Sequence, residues 1–289
     1  MCIRERFAGC RYAFFLQYGL RAAPWKQAEF DAPLFGSFVH DVLEHVVREA
    51  QEQGGFAAMT DGEISALTER CMDNCMKTYL PQGQAAASRE SYLSARNRQE
   101  AAAVVMDVAR ELRLSQFAPA AEELRFAPGG PLPPIEYRAK TGSGLLTGQI
   151  DRVDTYEADG RRYFRIIDYK TGHKDFDYAE LLYGKNLQML LYLFALESYQ
   201  RRAGTPMQPA GVLYVPGRCD MVKLKPGEDP AQADAERQKD LRRKGLLLND
   251  EAVLHAMEAY EKKPQYLPFA PGPDGLIGDL ASPAPVSYT

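Results

Sequence analysis

The sequence predicts an α/β fold: a central mixed sheet flanked by helices, with a helical layer in front of it. Three observations support this. Through residue 118 the apolar residues recur at helical spacing, beyond it they alternate around an Asp-Gly turn as paired strands do, and a helical stretch then leads into further strands.

The make-up is ordinary. The chain has 289 residues, 45% hydrophobic and 26% charged, enough for a full core and typical of a globular protein. It has no run of about eighteen apolar residues, and its start lacks a signal-peptide apolar region, so we expect no membrane contact and a cytoplasmic location. A formal charge of −4 excludes nucleic-acid binding through a global field and leaves it to local basic patches. Three stand out: Arg4, Arg6 and Arg11; Arg161, Arg162 and Arg165; and Lys239, Arg242, Arg243 and Lys244. Each is expected as a solvated face.

In chain order, residues 4–20 carry Phe7, Cys10, Phe14, Phe15 and Tyr18 at amphipathic helix spacing, ended near Gly19, with Cys10 expected as a buried thiol. Residues 34–53 are a clear helix, with Phe35, Phe38, Val39, Val42, Leu43, Val46 and Val47 as its stripe, His40 on the flank and His45 on another face. Helices are expected around 63–79 and 90–117, separated by a Pro/Gly/Ala/Ser-rich joint at 81–88. Cys71 and Cys75 lie four apart with no partner pair nearby in sequence, which suits core positions better than zinc. Arg96, Arg98, Arg110 and Arg113 on the long helix suit either a DNA-facing surface or plain exposure.

Residues 117–126 open the sheet. Gly144 to Tyr156 is expected as one half-buried strand with Gln149, Asp151 and Val153 on one face, and the Asp159-Gly160 turn delivers the chain into a strand ending Ile167-Asp-Tyr-Lys-Thr-Gly172. Side chains two apart share a face, so Asp168 and Lys170 stand together while Tyr169 points away. If the register sets Asp151 across from Asp168, two carboxylates converge, and converging oxygens suit Mg²⁺ or Mn²⁺. A lysine beside them can orient water and offset charge on a phosphate, a constellation for phosphodiester cleavage. Asp-x-Lys is also a common surface ion pair. Against that bland reading, both aspartates neighbour Ile150, Ile166 and Ile167, where an unpartnered carboxylate is costly. Residues 177–200 are expected as one helix with Gln188 and Tyr192 on one face at i, i+4. Strands follow at 211–216 and 221–225, a loop at 226–235, helices at 237–247 and 249–262, and little order at 264–289.

Gly148-Gln-Ile-Asp-Arg-Val-Asp154, Ile167-Asp-Tyr-Lys-Thr-Gly172 and Gln188-Met-Leu-Leu-Tyr192, in that order, resemble the nuclease core of the PD-(D/E)XK superfamily. More narrowly they are similar to the RecB-like nuclease domain at the C-terminus of the AddB subunit of bacterial helicase-nucleases. The resemblance implies a restriction-endonuclease-like core and a Mg²⁺- or Mn²⁺-dependent deoxyribonuclease, an exonuclease of double-strand-break repair and recombination. Gly36-x-x-x-His40 resembles the family's first motif, which implies that His40 joins Asp151, Asp168 and the Tyr169 carbonyl around the metal. By the same resemblance Lys170 is catalytic, Gln188 and Tyr192 orient water or touch the DNA backbone, and Glu123, rather than its neighbour Glu122, supports the site.

Cys10 matches the first of the family's four iron-sulfur ligands, but no cysteine follows Cys219, so no iron-sulfur cluster is expected. The chain is expected to stop short of the family's cysteine-bearing tail and to lack the helicase-like region before it. The implied partners are DNA and a helicase subunit or domain. With no Walker-type loop, ATP binding of that kind is not expected. The division that follows is 1–118 helical, contributing His40; 119–225 nuclease core; and 226–289 C-terminal helices and tail, together one compact domain. A competing reading from another class is a non-catalytic DNA-binding or assembly module.

Overall fold

The computed structural model describes residues 7, 9–22, 32–79, 88–140, 142–172, 177–219, 237–272, 275–278 and 280–281. A short helix α1 (Arg11–Phe14), run on by a π-helical turn (Phe15–Gly19), precedes three long helices: α2 (Ala32–Glu52), α3 (Asp61–Tyr79) and α4 (Ser88–Arg113). Cys10 is exposed, correcting the expected buried thiol; it stands at the N-cap of α1, where its Sγ accepts from Ala13 N–H at 3.5 Å. Helix α3 starts on a capping box. The Glu63 carboxylate accepts from Thr60 N–H at 2.7 Å while the Thr60 hydroxyl accepts from Glu63 N–H at 3.3 Å.

The sheet strands are β1 (Ala118–Phe126), β4 (Gly148–Ala158), β5 (Arg161–Lys170), β6 (Gln208–Pro216), β7 (Lys244–Leu248) and β10 (Leu280–Ala281), in the order β1-β4-β5-β6-β7-β10. Strand β5 runs antiparallel to β4 and parallel to β6, and β7 runs antiparallel to β6 and parallel to β10, so the sheet is mixed as expected. Between β5 and β6 lie α5 (Tyr178–Leu182) and α6 (Gln188–Arg202). Two small pairs stand apart from the main sheet: β2 (Ile135–Ala139) with β3 (Gly142–Leu146), and β8 (Phe269–Gly272) with β9 (Gly275–Gly278).

Alternation along β5 decides which core lies on which side. Tyr163, Ile167 and Tyr169 join the larger core under α2, α3 and α4, together with the short helix α7 (Glu251–Met257), while Phe164 and Ile166 join a second core with Met189, Tyr192 and Leu196 of α6. Cys71 and Cys75 are buried in the larger core, where burial pushes their thiols up to about 12 and about 11.

Several boundaries differ from expectation. The strand expected over 144–156 is two: β3 pairs with β2, and the chain passes to the main sheet at Gly148, where a Cβ would meet the Phe126 ring at 2.5 Å. The helix expected over 177–200 is broken because Gly184 (φ 72°) and Asn186 (φ 53°) take left-handed conformations that end α5 before α6 begins. Residues 244–248, all but the last expected within the helix at 237–247, are a strand. Gly245 (φ 149°) lies so close to β6 that a Cβ would fall 2.0 Å from the Val212 carbonyl oxygen, and only a glycine lets the Leu-Leu-Leu run pair there. The next helix shrinks to α7, capped by Asp250, whose carboxylate accepts from Ala252 and Val253 N–H. The end of the chain, expected to have little order, carries β8, β9 and β10. The joint at 81–88 lies outside the described residues save for Ser88, and the strand at 221–225 and the loop at 226–235 lie wholly outside them.

Two of the basic patches are not solvated faces throughout. Arg165 and Arg243 are fully buried, as is Arg152. Arg152 grips Asp154 through Nε at 2.8 Å and Nη2 at 3.0 Å; Arg165 Nε donates to Asp154 at 2.8 Å and its Nη2 lies 3.2 Å from Glu111; Arg243 bonds both Glu111 and Asp107. Burial alone would raise the Glu111 carboxyl, but Arg243, Arg165 and Arg152 together hold it down at about 2. The network ties α4 to β4, β5 and the segment entering β7. Arg96, Arg98 and Arg113 pair with Glu100, with Glu69 and Asp73, and with Asp61, which knits the helical layer to itself.

Candidate active site

Three elements bring the site together: the first turns of α2, the β1-β4-β5 ribbon and the start of α6. Helix α2 approaches the end of β5 closely because Gly36 has no side chain. A Cβ there would lie 3.1 Å from the Thr171 hydroxyl. One turn on, His40 reaches the β5 backbone, its Nε2–H donating to the Tyr169 carbonyl at 3.0 Å. A carbonyl can only accept, so in the neutral imidazole the lone pair falls on Nδ1, which faces Asp151 Oδ2 at 3.5 Å. The same carboxylate oxygen accepts from Tyr169 N–H at 2.7 Å. Tyr169 thus holds Asp151 with its amide and His40 with its carbonyl, while its phenol accepts from buried Arg152 at 2.6 Å on the far side of the sheet.

The β4-β5 ladder runs to Arg152↔Ile167, which brings Asp151 level with Asp168 as the hairpin reading required. The β1-β4 ladder pairs Glu122↔Arg152 and Leu124↔Ile150, bracketing Glu123 across from Asp151. Glu123 takes φ 47°, a left-handed conformation that costs a non-glycine residue free energy and turns its carboxylate into the site. Gln149 donates to that carboxylate. Ile150 and Val153 both join the second core although three residues apart, so β4 does not alternate strictly where it passes the site, and the single face expected for Gln149, Asp151 and Val153 is not kept.

One ligand atom each from His40, Glu123 and Asp151 lie within 4.8 Å of one another. An imidazole with two carboxylates is a donor set for a hard divalent cation. The carboxyl groups themselves register the crowding. Burial and the neighbouring charges of Asp151, Glu44, Asp41 and Asp168 push Glu123 up to about 8, and burial with Asp168 pushes Asp151 up to about 6. Negative charge is over-concentrated here by the protein alone, and a bound cation would relieve it; the residues fit the group. Gly36, Ser37, His40, Asp41, Glu123 and Gln149 line an open cleft leading to this trio.

Asp168 lies outside the trio. Its carboxylate pairs with Lys170 and accepts from the Gln188 side-chain amide at 3.2 Å. Gln188 also donates to the Tyr192 hydroxyl at 2.7 Å, one helical turn on. Tyr192 is buried with its ring edge-on to Phe126. His45 stands apart from the trio; its Nδ1–H donates to the Asp41 carbonyl at 2.6 Å within α2. Sequence reasoning gave no role to Arg152, Asp154 and Glu111 and set Arg165 and Arg243 on solvated faces; Arg152 fixes Tyr169 from behind, and the others hold it through Asp154 and Glu111. The signal for them was Arg152-x-Asp154 and Arg165 on strands whose other residues are apolar, positions where a charge needs a buried partner.

The family model of the PD-(D/E)XK nuclease superfamily matches residues 4–267. The chain belongs to this superfamily. Among curated relatives, an ATP-dependent helicase/deoxyribonuclease subunit of Thermoanaerobacter sp. (strain X514) is 32% identical over 279 residues, covering 95% of this chain and 24% of that protein. Proteins of the same name from Acetivibrio thermocellus and Clostridioides difficile are 31% and 28% identical over 284 and 285 residues, each with 25% of its length covered. The chain therefore spans about a quarter of the length of these relatives. Among the described residues no helix is long and apolar enough to cross a membrane.

Proposed function

We propose that this chain is a Mg²⁺- or Mn²⁺-dependent deoxyribonuclease, an exonuclease working on DNA ends in double-strand-break repair and recombination alongside a helicase subunit or domain. One observation carries the reading: a lysine paired with a buried aspartate at the end of β5, next to a trio of one histidine and two carboxylates whose crowded charges call for a cation. The names of the relatives, which join helicase and deoxyribonuclease, support the substrate and the partner. A cytoplasmic location accords with a DNA substrate.

When bound, the divalent cation supplies Lewis-acid chemistry at a phosphoryl oxygen and lowers the pKa of a coordinated water. His40, Glu123, Asp151 and the Tyr169 carbonyl would hold it, with Asp168 adding to the acidic surround. Tyr169 keeps its two partners in register from the backbone. Lys170, steadied by Asp168, orients the attacking water and offsets charge growing on the phosphate. Gln188 fixes the Asp168 carboxylate, and the buried Tyr192 fixes Gln188, so both act through Asp168. A non-catalytic DNA-binding module needs no lysine against a buried carboxylate beside a cation-seeking trio.

The test is hydrolysis of linear end-labelled DNA by the purified chain in Mn²⁺ or Mg²⁺, beside Lys170→Ala and Asp168→Asn. Metal-dependent degradation, reduced roughly a hundredfold or more in both variants, is expected. A folded wild type that binds metal and leaves the DNA intact would refute the enzyme and favour the binding module.

A further inference from the structure

On the other side of Lys170 from the acidic trio is a second cleft, of opposite charge. It encloses about 210 Å³ between the ends of β5 and β6 and the segment 237–244. Among the described residues, Lys170, Arg218, Arg237, Lys239, Arg242 and Lys244 line it, with one carboxylate, that of Asp240. Thr171, Gly172 and Pro216 line it too, and beside them Gly217 N–H is bonded to the Lys170 carbonyl at 2.8 Å. Some of these cations are fixed from behind. Arg242 donates to the Leu267 and Phe269 carbonyls, and Arg218 lies 3.4 Å from Glu100. Lys239 and Arg237 stand exposed at the rim. In a chain of formal charge −4, six cationic side chains around one concave space form a local departure that attracts anions.

We propose that this basic cleft is a second phosphate subsite, which holds a backbone phosphate of the same DNA strand beside the phosphate being cut. Lys170 lines the cleft and also pairs with Asp168, so a strand lying along both crosses from cation-seeking carboxylates to phosphate-seeking cations at the point of reaction. The cleft then holds the strand in register, so that binding energy away from the reacting phosphate positions it. The assignment of the cut to the neighbouring site rests on the nuclease reading; the cleft's affinity for the strand does not.

The probe is a fluorescein-labelled single-stranded oligodeoxynucleotide, followed by anisotropy in EDTA, where no cleavage is needed, from about 50 to 300 mM KCl. An Arg237→Gln/Lys239→Gln double variant, checked for folding by circular dichroism, is compared with wild type. Loss of two phosphate contacts predicts weaker binding and a log K against log salt slope shallower by about 1.4. An unchanged slope in a folded variant overturns the subsite. The same comparison with 5′-phosphorylated and 5′-hydroxyl strands separates two sources of phosphate. Equal slope changes support the backbone subsite, whereas a change confined to the 5′-phosphorylated strand overturns it in favour of a clamp on the terminal phosphate. Should the slope fall as expected while wild type leaves DNA uncut in Mn²⁺, the strand subsite stands and only the catalytic reading fails.

Discussion

Tyr169 is the residue at which the buried interior and the site meet. Its phenol is anchored by Arg152 while its amide and carbonyl hold Asp151 and His40, so the trio inherits its geometry from a network that cannot move without exposing buried charge. Glu123 was the harder residue to read. Asp168 and Lys170 follow from period-two spacing along one strand, but Glu123 reaches the site through a cross-strand register and a left-handed backbone, neither of which its own sequence neighbourhood announces. At this scale, Mn²⁺ at a hundredfold excess over its Kd should stabilise the wild type by about 2.7 kcal/mol. In scanning calorimetry the resulting rise in Tm is expected to vanish in His40→Ala and to shrink in Glu123→Gln. An undiminished rise in both variants would put the metal elsewhere.

Elements record where local pattern and tertiary context agreed. The stripes of α2 and α3 gave themselves away because each buries one continuous face, and β5 did so as a short apolar run, buried throughout from Tyr163 to Tyr169, that follows an Asp-Gly turn. Strand β7 did not. Its apolar run fits a helix equally well, and what makes it a strand is the contact of Gly245 with the β6 backbone, a fact about a neighbour distant in sequence. Gly245→Ala is accordingly expected to cost at least about 2 kcal/mol in urea unfolding, since neither φ nor space admits a Cβ. A near-neutral result would contradict the placement of β7.

The buried network makes a second prediction at this scale. Replacing Glu111 by Gln leaves Arg165 and Arg243 under-compensated and should cost roughly 3 kcal/mol at neutral pH. The sign with pH follows from Glu111 being held at about 2 in the folded protein against a usual 4.5. Below 4.5 the unfolded chain takes up a proton that the folded chain refuses, so the stabilisation is present above that value and declines as pH falls toward 2. The stability difference between wild type and Glu111→Gln should therefore narrow from pH 5 to pH 3. A difference constant over that range would mean that Glu111 is not held ionised by its arginines.

For the molecule as a whole, the sheet is covered on both faces, with α2, α3 and α4 on one side and α6 on the other, and its C-terminal strands close the far edge. Sheet, hairpin and motif helix were legible because short-range spacing encodes them. The burial of Arg243 was not, because its partners Glu111 and Asp107 of α4 lie more than a hundred residues away, and the closing strand β7 was not, because its pairing depends on the fit of Gly245 against β6. The resulting division of charge is acidic on the side of α2 and basic on the side of segment 237–244; in the proposed nuclease these are the two halves of the phosphodiester site.

The most direct measurement is single-turnover cleavage of a labelled DNA strand as Mn²⁺ is raised, for wild type, His40→Ala and Lys170→Ala. A metal-holding trio beside a separate catalytic lysine predicts saturable cleavage by wild type. His40→Ala should need roughly ten- to a hundredfold more metal, and Lys170→Ala should keep the metal midpoint while losing most of the plateau rate. Cleavage that ignores metal, or a midpoint that does not move without His40, would contradict the account.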